Sequence, residues 1–279
     1  MKILITGAHG MLGSELTRHW SDAHEVVATG SGDLDITQLA DVRDAVAAEA
    51  PDLVVNCAAY NAVDDAETRI EDAYRVNALG PKNLACATAD AGIPLVHFST
   101  DYVFDGTANR PYAEYDPVSP LGVYARSKAA GEQAVRDHTG AFFLIRLSWL
   151  VGRGGNNFVE TMLRLGRERG SVRVVNDQTG SPTFCADIGP VLDRLIVSRQ
   201  YGTYHCTGQG AATWCDFAVE IFRQAGLDVR VEPITTEAFG RPAPRPVYSY
   251  LRNLMLELAF GADPMAPWQE SLARYLRER

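Results

Sequence analysis

The sequence contains no run of 18 apolar residues, which excludes an ordinary membrane-spanning helix. Basic residues are in short supply. Lys and Arg number 26 against 35 Asp and Glu, a formal charge of −9. A chain that grips nucleic acid through its phosphates usually leans the other way, so no nucleic-acid partner is expected. Cysteine is sparse as well. Cys57, Cys86, Cys185, Cys206 and Cys215 are odd in number and scattered, with no C-x-x-C pair. That pattern offers no disulfide framework and fits a reducing compartment. The N-terminal stretch Met1–Gly7 lacks signal-peptide anatomy, because its apolar run is brief and leads into a glycine turn. A cytoplasmic protein is therefore expected. There is no internal repeat and no low-complexity tract. What is present is ordinary globular material: 279 residues, 46% of them hydrophobic, enough for a large core.

Residues 1–150 alternate two textures. Short apolar runs at 2–6, 25–29, 53–57, 95–99 and 142–147 read as strands buried on both faces. Amphipathic stretches at 11–20, 42–50, 66–91 and 124–139 read as helices. Strand alternating with helix predicts an α/β fold with a parallel sheet covered on both sides. After residue 150 the pattern loosens. A loop at 152–157 precedes a helix at 158–169, a short strand at 173–175 and a loop at 177–182. Helices are expected at 184–197 and 214–225, then a Pro-rich stretch at 233–246 and a last helix near 267–277. Residues 1–150 are thus expected to form a nucleotide domain. Residues 151–279 are expected mainly to cover its ligand cleft, with some segments returning to that domain.

Gly7-Ala8-His9-Gly10-Met11-Leu12-Gly13 lies between the first strand and the first helix. Glycines let a backbone approach a pyrophosphate closely, and the helix start offers free N–H groups. In this position the turn predicts a Rossmann-type, doubly wound sheet that binds a dinucleotide. The tip of the second strand, Thr29-Gly30-Ser31-Gly32-Asp33, has neither the acid typical of NAD nor the base typical of NADP. The cofactor expectation is NADPH or NADH, with a lean to NADPH. Asp35 and Ile36 follow and are placed to flank the adenine, or Asp35 caps the next helix.

Tyr124 and Lys128 stand four apart, on one face of an expected helix. An unperturbed phenol, with a pKa near ~10, shuttles protons poorly at neutral pH, and a nearby cation would lower it. Such a pair can protonate a carbonyl oxygen as hydride reaches its carbon. The strand before it ends in Ser99-Thr100-Asp101, at the edge where parallel sheets bind ligands. There Thr100 could hydrogen-bond a carbonyl. Asp101 could bond a sugar hydroxyl or cap the next turn. Asn56-Cys57-Ala58-Ala59-Tyr60-Asn61 ends the preceding strand in the same way. Its small Ala58 and Ala59 leave room for a cofactor, and Tyr60 and Asn61 could reach a ribose.

Together with Val76-Asn77-Ala78, Arg146 to Trp149, Gly155 to Phe158, Asn176 to Thr183 and Asp263 to Leu272, these motifs resemble the extended short-chain dehydrogenase/reductase family over almost the whole chain. The resemblance implies reduction of the C4 ketone of a dTDP-linked 6-deoxyhexose. It implies Tyr124 as proton donor, Lys128 as the cation that lowers its pKa and holds the nicotinamide ribose, and Thr100 as the group that orients the ketone. The implied cofactor contacts are Gly7, Gly10, Met11, Leu12, Asp35, Ile36, Ala58, Ala59, Tyr60, Asn61, Tyr124 and Lys128. The implied substrate contacts are Thr100, Asp101, Trp149 and Asn157. No metal site carries over, and a homodimer is left open. The segment Arg245-Pro246-Val247-Tyr248-Ser249-Tyr250-Leu251 keeps most of the family pattern but continues with Arg252 in place of Asn or Asp. Three alternatives stay open: a 4,6-dehydratase or 4-epimerase, a 4-ketoreductase making another deoxysugar, and a non-catalytic regulatory homologue. Dehydratases that resemble this fold place Glu directly after the Asp of the strand-end motif, where this chain has Tyr102.

Overall fold

The computed structural model describes residues 1–279. The five expected strands of the first half appear as β1 (Lys2–Thr6), β2 (Glu25–Thr29), β3 (Leu53–Asn56), β4 (Leu95–Thr100) and β5 (Phe142–Leu147). Four of the five have almost no exposed residue, as strands covered on both faces must. They form one parallel sheet with a sixth strand, Gly202–His205, in the order β2, β1, β3, β4, β5, Gly202–His205. The chain runs outward from β1 to β2 and then returns to β3 on the other side of β1. The crevice opened by that reversal is where doubly wound sheets bind ligands.

The sixth strand belongs to the second half and was not anticipated. Thr203 lies opposite Leu144 and Tyr204 opposite Ile145. Its sequence, Gly-Thr-Tyr-His, has no long apolar run, and only the free edge of β5 makes it a strand.

One face of the sheet is covered by the helices Met11–Trp20 and Cys185–Ser198, which share a core with Ile3, Ile5, Val55 and Ile145. The other face carries Leu39–Glu49, Gly80–Ala91 and Val123–His138. Its core includes Leu4, Val54, Leu84, Leu95 and Val135. A third apolar cluster joins the helices Phe158–Arg169, Trp214–Ala225 and Trp268–Glu278 of the second half. No helix is long and apolar enough to cross a membrane.

Two expectations need correction, and two further elements were not foreseen. The stretch 66–91 is not one helix. It is broken into Val63–Ala66, Ile70–Tyr74, a π turn at Arg75–Leu79 and Gly80–Ala91. Pro81 has no N–H to return to the Asn77 carbonyl four residues earlier, so the regular ladder cannot continue there. The freed carbonyl instead packs against Gly131 of the helix Val123–His138, where a Cβ would sit 2.1 Å from it. The helix expected at 42–50 begins earlier, at Leu39. The Pro-rich stretch, for which no element is expected, begins within regular structure. A strand, Arg230–Ile234, pairs in parallel with Ser171–Val175 and places Pro233 opposite Val174 in a two-stranded sheet. A proline is tolerated there because neither strand has a second neighbour. A short helix, Leu254–Phe260, was also missed.

The close approach of Asn77 to Gly131 sets the spacing between two elements. Gly131→Ala is expected to lower unfolding stability by about 1–3 kcal/mol, the range for overpacking a tight contact. Denaturant titration measures this, and an unchanged midpoint would mean the two segments separate freely.

Candidate active site

At the carboxyl ends of β1, β3, β4 and β5 lies a cleft of about 310 Å³. The glycine turn forms its floor. Gly7 takes a positive φ of 66°, and a side chain there would meet the Ala58 backbone at 2.5 Å. Gly13 is equally constrained, because a Cβ would lie 2.3 Å from the Gly7 carbonyl. These contacts draw the turn against the end of β3 and aim the helix Met11–Trp20 at the crevice. No side chain caps that helix, and its first turn contains no acid. Its leading N–H groups are therefore free to receive an anion, which is what a dinucleotide pyrophosphate requires.

The cleft brings together most of the residues singled out from the sequence: Gly10, Met11, Leu12, Ala58, Ala59, Asn61, Thr100, Asp101, Tyr124, Lys128 and Trp149. Gly7 supports it from below. Tyr60 is held beside it, its N–H donating to the Asn77 Oδ1 at 2.8 Å and its carbonyl accepting from the Asn77 Nδ2 at 3.0 Å. The same Nδ2 donates to the Ser127 hydroxyl, which donates on to the Tyr124 carbonyl. Asn77 thus clamps the loop after β3 to the helix bearing Tyr124. Its motif was noticed in the sequence, but its role was not.

Three residues sit elsewhere. Asp35 is exposed outside the cleft and accepts the Thr37 N–H at 2.9 Å, while Gln38 occupies the N-cap position. Ile36 is buried against Gly80 in the core. Asn157 caps the helix Phe158–Arg169, accepting from the Glu160 N–H and donating to the Gly152 carbonyl and the Tyr275 hydroxyl. Its polar atoms are used by the protein itself.

The electrostatics depart from expectation. Burial pushes the Tyr124 phenol up to about 12, and the nearby Asp101 carboxylate raises it further, while the Thr100 hydroxyl draws it down. Lys128 is 3% exposed and donates its Nζ hydrogen to the Phe98 carbonyl at 2.6 Å. Burial drops its pKa to about 8. Burial is the largest influence on the phenol and acts against the acidification expected from a lysine neighbour, while Lys128 gives its hydrogen to the Phe98 carbonyl. Asp101 is 2% exposed, and burial lifts its carboxyl to about 7, against the hydrogen bonds from Ser249 and Thr100. Thr100 both donates to the Asp101 Oδ1 at 3.1 Å and caps the following turn by accepting the Tyr102 N–H.

Two aromatic pairs join this cleft to a second cavity of about 600 Å³. Tyr124 meets Tyr102 edge-on at 6.0 Å, and Trp149 stacks on Trp214 at 3.5 Å. Tyr102 and Trp214 line the second cavity together with Gln178, Arg173, Arg241 and Arg245. Trp149 has a positive φ of 44°, a strained conformation for a bulky residue, and Gly180 makes room for its ring. Arg241 and Arg245 are both held by Asp64, from the short helix after β3. The second cavity therefore offers cations and flat aromatic faces beside the catalytic cleft, features suited to a nucleoside diphosphate.

A model of the family described as RmlD substrate binding domain matches residues 1–279. The chain belongs to this family. It is 45% identical to a dTDP-4-dehydrorhamnose reductase of Streptomyces griseus, over 96% of this chain and 91% of that one. A solved dTDP-4-dehydrorhamnose reductase from Clostridium acetobutylicum superposes with a TM-score of 0.96 at 47% identity, covering 99% of each chain. The corresponding Bacillus anthracis enzyme, solved in complex with NADP, gives a TM-score of 0.97 at 42% identity, over 100% of this chain and 99% of that one.

In this RmlD family member the helix bearing Tyr124 and Lys128 is anchored by Glu132, which is fully buried. Its two oxygens accept the Arg146 Nε and Nη2 at 2.9 and 2.8 Å, and Arg136 adds a third donor. Burial alone would raise the Glu132 carboxyl, but the arginines hold it at about 2. A depressed folded-state pKa contributes stability in full above the unfolded value near ~4.5 and loses it as the pH falls toward ~2. Glu132→Gln is expected to cost about 3–5 kcal/mol at neutral pH by leaving Arg146 unpaired. Unfolding free energies measured down the acid range should also fall less steeply in the variant than in the parent protein.

Proposed function

We propose that this protein is an NAD(P)H-dependent reductase that converts the C4 ketone of dTDP-4-dehydro-L-rhamnose to the alcohol of dTDP-L-rhamnose. The observation that carries this reading is the meeting of an uncapped helix start, the buried Thr100 and Lys128 with the half-buried Tyr124 between them, and an arginine-lined cavity next door. Relatives at 45% and 47% identity named as dTDP-4-dehydrorhamnose reductases support the choice of sugar. A relative solved with NADP supports the cofactor.

The cofactor, when bound, supplies a hydride to the ketone carbon. The free amides of the first helix would hold its pyrophosphate, and Ala58 and Ala59 leave space for it against the end of β3. Thr100 stands beside the ketone as a positioning group, its one hydroxyl hydrogen being given to the Asp101 Oδ1. Tyr124 gives its proton to that oxygen as negative charge develops. The high phenol pKa suits this direction, because the group stays protonated until a stronger base, the alkoxide, appears. Lys128, with a pKa of about 8, remains a cation at neutral pH. It compensates the phenolate left behind. Trp149 walls the sugar, and Arg173, Arg241 and Arg245 face the diphosphate. The five free thiols suit a reducing cytoplasm.

The test is turnover of dTDP-4-dehydro-L-rhamnose with NADPH, followed at the reduced-nicotinamide absorbance, with NMR of the product sugar. Loss of absorbance with the rhamno product supports the reading. Binding without oxidation would assign a regulatory role, and another epimer would assign another deoxysugar. Tyr124→Phe should lower kcat by about 10²-fold or more without changing cofactor affinity, the usual loss for a general acid. Near-parent turnover would remove Tyr124 from this role.

A further inference from the structure

Ser249 lies on the far side of Asp101 from Thr100 and is 2% exposed. Its hydroxyl donates to the Asp101 Oδ2 at 2.5 Å, while Thr100 donates to Oδ1. The carboxyl is thus gripped at both oxygens, by one hydroxyl from the end of β4 and one from a segment 148 residues away in the chain. That segment is itself held rigidly. The Ser249 N–H donates to the Thr179 carbonyl at 2.7 Å, and the Thr179 N–H donates to the Val247 carbonyl at 2.8 Å. The Tyr250 carbonyl accepts the Tyr112 N–H at 2.9 Å. Four residues before Ser249, Arg245 lines the second cavity and pairs with Asp64 at 3.0 Å. A short, fixed stretch of chain therefore connects the arginine-lined cavity with a carboxyl in the catalytic cleft.

We propose that Ser249 is a positioning residue for the reaction: its hydroxyl fixes the Asp101 carboxyl, Asp101 in turn fixes the Thr100 hydroxyl, and the segment that lines the diphosphate cavity thereby sets the geometry at the ketone. A buried hydroxyl is kept where it meets a partner, and the partner here is the Asp101 carboxyl. The titratable neighbours of Asp101 are Tyr102, beside it in the chain, and Tyr124, from the facing helix. Arg245 reaches Tyr102. Neither phenol is charged near neutrality, so the two hydroxyls are the polar side chains that hold Asp101 in place.

The kinetic part of this proposal rests on the reductase reading, and the titration part does not. In protein labelled with ¹³C at the aspartate carboxyl, Asp101→Asn identifies the Asp101 resonance by its loss. Ser249→Ala should move the Asp101 midpoint upward by about one pH unit, the effect of removing one donor to a buried carboxylate. Ser249→Thr should leave it in place. Ser249→Cys, similar in size but a weak donor, should shift it in the same direction as Ala and covers the case in which the Ala variant does not fold. In turnover, Ser249→Ala should lower kcat by about tenfold with KM for the sugar nucleotide unchanged, and Thr should restore it. A midpoint that stays in place in both the Ala and Cys variants overturns the proposal. So does a shifted midpoint with kcat intact, or a loss confined to KM. Failure of the parent protein to oxidise NADPH would instead overturn the reductase reading, and the titration would still decide whether Ser249 governs Asp101.

Discussion

Glu132 carries a full charge with no exposed surface, and the catalytic geometry depends on how that charge is satisfied. It sits two turns along the helix from Tyr124 and one turn from Lys128. Its partner Arg146 projects from β5, next to the strand that ends in Thr100. A bidentate guanidinium–carboxylate pair tolerates little rotation, so it fixes the helix in both angle and height over the sheet. Asn77 supplies the second restraint by tying the same helix to the loop after β3. With these two restraints, a phenol from a helix, a hydroxyl from a strand end and the amides of another helix converge on one cleft. The pair need not add much net stability to serve this purpose, because buried ion pairs often barely repay their desolvation.

The same low-dielectric setting governs the ionisable groups. It raises Tyr124, lowers Lys128 and brings Asp101 close to neutrality. A phenol that keeps its proton is a better acid for an alkoxide than one already ionised. If Tyr124 is the proton donor proposed above, burial serves the reductive direction, although it works against the acidification that the Tyr–Lys spacing suggested. The second half of the chain contributes through contact. Trp149 and Trp214 form a common wall between two cavities, and Ser249 reaches into the first from a segment that lines the second.

Much of this was legible in the residues. Strands buried on both faces have few alternatives, so runs such as Leu53–Asn56 and Leu95–Thr100 were found almost to the residue. The glycine turn was legible because its spacing answers a backbone constraint. Elements whose identity depends on a neighbour were not legible. Gly202–His205 is a strand because β5 has a free edge, and the π turn at Arg75–Leu79 exists because Pro81 leaves a carbonyl that Gly131 can receive. Asn157 was assigned to the substrate by resemblance, yet its amide is occupied in capping a helix.

By itself the sequence determined the alternation of strand and helix, the dinucleotide turn and the Tyr–Lys pair. Each rests on local periodicity or on spacing within a few residues. The tertiary structure alone decided that Ser249 meets Asp101, that Arg146 neutralises Glu132 and that burial raises the Tyr124 phenol. Those outcomes depend on desolvation and on contacts between residues far apart in the chain, and both arise only once the core has closed around them.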